Sequence, residues 1–310
     1  MGLRTNLKKE FVRIGEGVLV LVIDEQLNLV GLRDVSLQSG QVVDGEHSLA
    51  VQHYGRGQGR AVVLVHGGGW NHRTWDRVVP ALLAAGHEIV TFDQRACGNS
   101  DLDFTAVSIA DLGGDVVVVA EACGLDRFAL VGWSLGGAVA VDAAARLGDR
   151  VTQLVITSGA TPRLVQGTDW PIGLPEGTNS LVLQGINEDR ICFYLQMAQS
   201  LFHGAVDDAV VQWAWQQWMQ SGVMAAHSYA NLFEIDQRQQ LAALDVPTLV
   251  MHGRHDTFVP YPVAMRAAEL QPRGSLVTFE SSGHAPFLEE GPAYSRALVD
   301  FLAGVPSCQG

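Results

Sequence analysis

Basic residues and cysteines are scarce in this sequence, and no apolar run is long. Only 20 Lys and Arg stand against 33 Asp and Glu, a formal net charge of −13. Nucleic acid and anionic membranes bind through basic patches, so neither is expected as a partner. The four cysteines, Cys97, Cys123, Cys192 and Cys308, form no C-x-x-C pair. Two disulfides are arithmetically open, but 310 residues build a core without them. They are read as free thiols of a cytoplasmic protein. The apolar run Val18–Ile23 is too short to span a bilayer and meets Asp24 and Glu25 at once. No small-residue cleavage site follows it, and Asn6 stands where myristoylation requires a hydroxyl.

What is there is globular: 47% of residues are hydrophobic and 17% charged. Buried-strand runs fall at Ala61–Val65, Glu88–Phe92, Phe128–Val131, Leu154–Ile156, Thr248–Met251 and Leu276–Phe279. Helical patterns fill Thr74–Ala85, Ile109–Cys123, Leu135–Leu147 and Val263–Leu270. This alternation predicts an α/β, doubly wound sheet of mostly parallel strands with helices on both faces. Arg33–Gln38 and His47–Tyr54 are less apolar and predict an antiparallel edge. "GRGQGR" (Gly55–Arg60) precedes a strand rather than opening a helix, so it reads as a β-turn and not a phosphate loop.

The alternation breaks between Pro162 and Ile235. A Gly/Pro-rich loop there leads into Cys192, Phe193, Leu195, Met197, Leu201, Phe202, Trp213, Trp215, Trp218 and Met219 at roughly helical spacing. That is a small helical insertion whose aromatics mainly form its own core, with some facing whatever it covers. Trp213 and Trp218, with Trp70 and Trp133 beside two glycine turns, are the expected substrate contacts.

Gly132-Trp133-Ser134-Leu135-Gly136 matches G-x-S-x-G between a strand and an Ala-rich helix. A serine there must adopt a strained backbone to lift its hydroxyl off the sheet, and the flanking glycines leave room for the crossing. A serine needs a base. Of ten histidines, His284 lies on the loop after the last strand, at the edge where open parallel sheets build sites. Asp256, just past the preceding strand, is the orienting acid. The other position for it, after Ile156, carries Thr157 and Ser158 and no carboxylate. The order Ser134, Asp256, His284 suits acyl transfer on such a sheet. The N–H of Leu135, at a helix start, and that of Gly68, or one adjacent to it, are the expected oxyanion donors. His66 reads as structural. A metal site at His252-x-x-His255-Asp256 is disfavoured, because the two histidines should not converge.

Together, "HGGGW" (His66–Trp70), "FDQRACGNSD" (Phe92–Asp101), "GWSLGG" (Gly132–Gly137), "GRHDTFVP" (Gly253–Pro260) and "SGHAPFLE" (Ser282–Glu289) resemble the α/β-hydrolase superfamily over about Arg33 to Gly304. Within it they resemble the carboxylesterases that cleave pimeloyl-carrier-protein methyl ester. The resemblance implies an eight-stranded, mostly parallel sheet, a helical cap after the sixth strand, and no cofactor. The expected layout is an extension at 1–32, the core at 33–161 and 236–304, the cap at 162–235 and a tail at 305–310. The extension is read as added packing or a homodimer contact. Ala96 departs from the family's R-G-x-G-x-S pattern, in which a glycine stands there. A serine at position 134 argues against dehalogenase and epoxide-hydrolase chemistry, which use a carboxylate.

The expected activity is hydrolysis of an apolar or aromatic small-molecule ester through Ser134, His284 and Asp256. A lactone, a thioester or a C–C bond would use the same residues. A cofactor-independent dioxygenase, faintly matched by "GWNHRTW" (Gly69–Trp75), and a non-catalytic ligand receptor are the more distant readings.

Overall fold

The structure is a computed structural model, and it describes residues 8–14, 17–24, 37–44 and 47–304. The tail 305–310, with Cys308, and most of the expected strand Arg33–Gln38 lie outside these residues. Four strands come first: β1 (Lys8–Ile14), β2 (Gly17–Asp24), β3 (Leu37–Asp44) and β4 (His47–Tyr54). Then follow β5 (Ala61–Val65), α1 (Val79–Ala84), β6 (Glu88–Phe92), α2 (Ile109–Ala122), β7 (Phe128–Trp133), α3 (Leu135–Leu147) and β8 (Val151–Thr157). Helices α4 (Thr178–Ser200), α5 (Asp208–Met219), α6 (His227–Glu234) and α7 (Arg238–Ala243) intervene before β9 (Thr248–Gly253). The described residues end on α8 (Tyr261–Leu270), β10 (Gly274–Phe279), α9 (Pro286–Glu289) and α10 (Gly291–Leu302).

All strands join one sheet in the order β1-β2-β3-β4-β6-β5-β7-β8-β9-β10. Strands β5 to β10 pair in parallel, and β3 and β4 form the antiparallel edge. These eight are the expected sheet. The expected extension adds β1 and β2 to it, antiparallel to each other and to β3. Strands β5, β6 and β7 are buried along their whole length, as a sheet covered on both faces requires. The chain leaves β5 for β6 on one side and returns to β7 on the other. That switch point opens a crevice at the strands' carboxyl ends, where Val65 pairs with Gly132.

Local chemistry sets the helix limits. Ser108 and Asp111 form a capping box that starts α2 at Ile109. The expected helix Thr74–Ala85 is instead a 3-10 turn, His72–Trp75, followed by the short α1. The cause is Pro80, which has no N–H to donate and is tolerated only in a first helical turn. Gln58 N–H donates to the Gly55 carbonyl (3.0 Å), so Gly55–Arg60 contains the expected turn. Helix α4 is kinked at Asp189 (φ −153°, ψ 83°), and the Asp189 carboxylate restarts it by accepting the Cys192 N–H (3.0 Å). Cys97, Cys123 and Cys192 are free thiols, the first two buried.

Candidate active site

Ser134 sits at the bend between β7 and α3 with φ 57° and ψ −122°. This is a backbone conformation a serine holds only when its surroundings impose it. Here its N–H donates to the Thr157 carbonyl (3.0 Å), and its carbonyl accepts from Gly137 (2.9 Å) and Ala160 (3.0 Å). A Cβ at Gly132 would run into the carbonyl of Gly136, and one at Gly136 into those of Val65 and His66. The glycines of the motif are therefore there for clearance.

His284, on the loop after β10, brings Nε2 to 2.9 Å from Ser134 Oγ. Its Nδ1 is 2.8 Å from Asp256 Oδ2. The other Asp256 oxygen accepts the N–H groups of Phe258 and Val259, each at 2.9 Å. Burial pushes the Asp256 carboxyl up, but the facing His284, His252 and the Val259 N–H outweigh it and leave it below the usual carboxylate range. Three residues from far apart in the sequence are thus joined by two hydrogen bonds. Phe258 stacks on the His284 ring at 4.9 Å. The inserted segment also reaches this loop. His284 N–H donates to the Leu201 carbonyl (2.9 Å), and the Glu289 carboxylate accepts the N–H groups of His203 (2.7 Å) and Gly283 (2.7 Å).

His252 is buried and donates from Nε2 to the Val259 carbonyl (2.9 Å), whereas His255 is exposed and stacks on His203 at 3.6 Å. The two rings do not converge with Asp256 on a common centre. Among the described residues no other cluster has a metal-ligating arrangement.

The loop after β5 lies against the serine: a Cβ on Gly67 would sit 3.2 Å from Ser134 Cβ. Gly68 and Leu135 both border a small void of about 10 Å³, with Gln94, Cys97 and Leu112 among its other walls. His66 Nδ1–H donates to the Gly67 carbonyl (2.7 Å), and Nε2 accepts the Gln94 N–H (2.9 Å). Both nitrogens are occupied, and burial lowers its pKa to about 4, so His66 is a neutral strut.

A cavity of about 370 Å³ opens on Ser134. Its walls include Phe193 and Met197 of α4, Leu232 and Phe233 of α6, Leu164, and Phe258; none of its lining side chains is charged. The four expected tryptophans are not among them, which corrects their assignment as substrate contacts. Trp70, Trp133 and Trp218 are fully buried, and Trp213 borders a separate groove with Arg73 and Arg77. Trp70 takes Trp133, Trp213 and Trp218 edge-on at 4.7, 5.3 and 5.2 Å. The large rings gain more from burial and edge-to-face packing than from lining a cavity. The actual walls carry a signal in the sequence: 193, 196, 197 and 200 share one helical face, as do 229, 232 and 233.

Comparison with known proteins gives four findings. A family model described as the alpha/beta hydrolase fold matches residues 60–291. A pimeloyl-[acyl-carrier protein] methyl ester esterase of Nitrosomonas europaea is 30% identical over 251 residues, 75% of this chain and 91% of that protein. A non-heme chloroperoxidase of Streptomyces lividans is 29% identical over 80% of this chain and 94% of its own. Among solved structures, an esterase from Exiguobacterium antarcticum superposes with a TM-score of 0.80 at 25% identity, covering 83% of this chain and 96% of its own.

Proposed function

Because the chain belongs to the alpha/beta hydrolase fold family, we propose that it is a serine hydrolase of neutral, apolar or aromatic carboxylic esters. The observation that carries this reading is the Ser134–His284–Asp256 chain, at 2.9 and 2.8 Å, opening on an uncharged cavity. Ser134 Oγ attacks the ester carbonyl as its proton passes to His284 Nε2. Asp256 holds Nδ1–H and stabilises the imidazolium. The carbonyl oxygen takes up charge facing the N–H groups of Gly68 and Leu135. Collapse expels the alcohol, which takes the proton from His284. Water then repeats the sequence with His284 as base, releasing the acid and regenerating Ser134. The segment 162–235 acts as the cap. An apolar wall without a cation selects uncharged acyl and alcohol groups, because a carboxylate there would be desolvated without a partner.

The test is a p-nitrophenyl ester series on the wild type and Ser134→Ala, with fluorophosphonate labelling. Labelling at Ser134 and turnover lost in Ser134→Ala are expected. Absence of both labelling and Ser134-dependent turnover in the wild type sinks the reading.

A further inference from the structure

Three consecutive glycines, Gly67 to Gly69, leave the oxyanion loop with more backbone freedom than any other tripeptide would. A donor that stabilises a transition state must nevertheless be aimed before the reaction begins. The Gly68 N–H lies in the peptide plane between Gly67 and Gly68, and that plane can turn only as far as the next one, joined to it at the Gly68 Cα, allows. The first, between Gly67 and Gly68, is held from the sheet side. Its carbonyl accepts from His66 Nδ1 (2.7 Å) and the Trp70 N–H (3.2 Å), and a trans peptide then points the Gly68 N–H the opposite way.

The second plane, between Gly68 and Gly69, is held at its N–H by Cys97, which accepts from Gly69, and at its carbonyl by the inserted helices. The Gly68 carbonyl accepts from Tyr229 Oη of α6 (2.7 Å) and from Trp218 Nε1 of α5 (3.0 Å), and these two groups lie 3.1 Å from each other. The contact is close. A Cβ on Gly68 would sit 2.7 Å from the Tyr229 ring, and one on Gly69 would sit 2.8 Å from Trp218 Cδ1. The Trp218 turn is itself fastened, because Arg190 donates to the carbonyls of Trp218 and Ser221, and Asn71 Nδ2 donates to Gln220 Oε1 (3.0 Å).

We propose that Tyr229 and Trp218 are positioning residues for the reaction: the cap completes the oxyanion hole by clamping the Gly68 carbonyl. This rests on the ester-hydrolase reading, in which Gly68 N–H is an oxyanion donor. Neither side chain touches the oxyanion; both act through the Gly68 backbone.

Tyr229→Phe removes the hydroxyl and keeps the ring that borders the cavity. The expected result is a kcat about ten-fold lower, KM within about two-fold of wild type, and a matching loss of affinity for a phenylboronic acid, which mimics the tetrahedral intermediate. Trp218→Phe removes the second donor and should lower kcat in the same direction. It serves as the independent variant should Tyr229→Phe fold poorly by thermal melting. A Tyr229→Phe enzyme with wild-type melting temperature, kcat and boronate affinity overturns the proposal. So does a variant whose KM rises at unchanged kcat, which would make Tyr229 a substrate contact. If the wild type neither turns over esters nor takes fluorophosphonate at Ser134, the hydrolase reading itself fails, and this inference with it.

Discussion

The helix that carries the serine and the helix that roofs it are held in opposite ways. Ten of the 13 residues of α3 are buried, against three of the 23 of α4. Helix α3 is packed on β5, β7 and β8 and against α2, and Gly136 and Gly137 bring its first turn against the Val65 carbonyl and Gly159. Helix α4 is kinked, presents most of its surface outward, and is tied down by a few polar contacts such as Leu201 to His284. Helix α3 therefore fixes where Ser134 sits, and for the proposed chemistry a fraction of an ångström there matters. Helix α4 lines the cavity, where moderate displacement changes the shape of the void beside Ser134.

The most severe way to break this comparison is a change on the sheet side that leaves the packing alone. Asp256→Asn should lower kcat on the order of 10⁴-fold, about 5.5 kcal/mol, because an amide no longer imposes the Nδ1–H tautomer on His284. A near-native melting temperature with that loss would separate chemistry from stability. The next largest effect is acid sensitivity from His66. Its folded pKa, about 4, lies below the ordinary value of 6.5. The unfolded chain thus binds the extra proton first, so stability is full above pH 6.5 and falls as pH drops toward 4. This group alone contributes about 3 kcal/mol over that window. Urea unfolding at pH 7 and pH 4.5 should show a smaller acid loss in His66→Gln than in the wild type.

On α4 the effects should be smaller and appear as selectivity. Met197→Ala should change the ratio of kcat/KM for octanoate and butyrate p-nitrophenyl esters about five- to ten-fold, with little change in fold stability. An equal loss for all chain lengths would mean that α4 supports the chemistry as well. The mildest test lies on the seam. Ala96 holds a left-handed φ of 61° and accepts the Gly222 N–H from the inserted segment (2.8 Å). Ala96→Gly removes the Cβ conflict and should stabilise by up to about 1 kcal/mol, read from the urea midpoint.

The same division explains what could be read from the sequence. Helix α3 was legible to the residue, Leu135–Leu147, because a strand, a glycine turn and a small-residue helix leave one arrangement. Ser134, Asp256 and His284 were legible as a set because each follows a parallel strand, and parallel strands end on a common edge. The tryptophans misled, because aromatic bulk says that a residue is buried and not which void it faces. Phe193 and Met197 were visible as apolar helix positions, but the kink at Asp189 and the packing of α4 decide that they roof Ser134. Ala96 was visible as a departure from a glycine. Its positive φ shows that the backbone kept the shape and lost the residue that suits it.

Trp133 was expected to meet the substrate and instead donates Nε1–H to the main-chain carbonyl of His284 at 2.9 Å. This bond carries no proton that the reaction uses. In the proposed reaction, acylation of Ser134 ends its hydroxyl bond to the imidazole, and the Trp133 bond is then what still ties the His284 loop to the end of β7. With Asp256 on Nδ1 and Leu201 on the main-chain N–H, the indole would keep the histidine in register for water through the lifetime of the proposed acyl-enzyme.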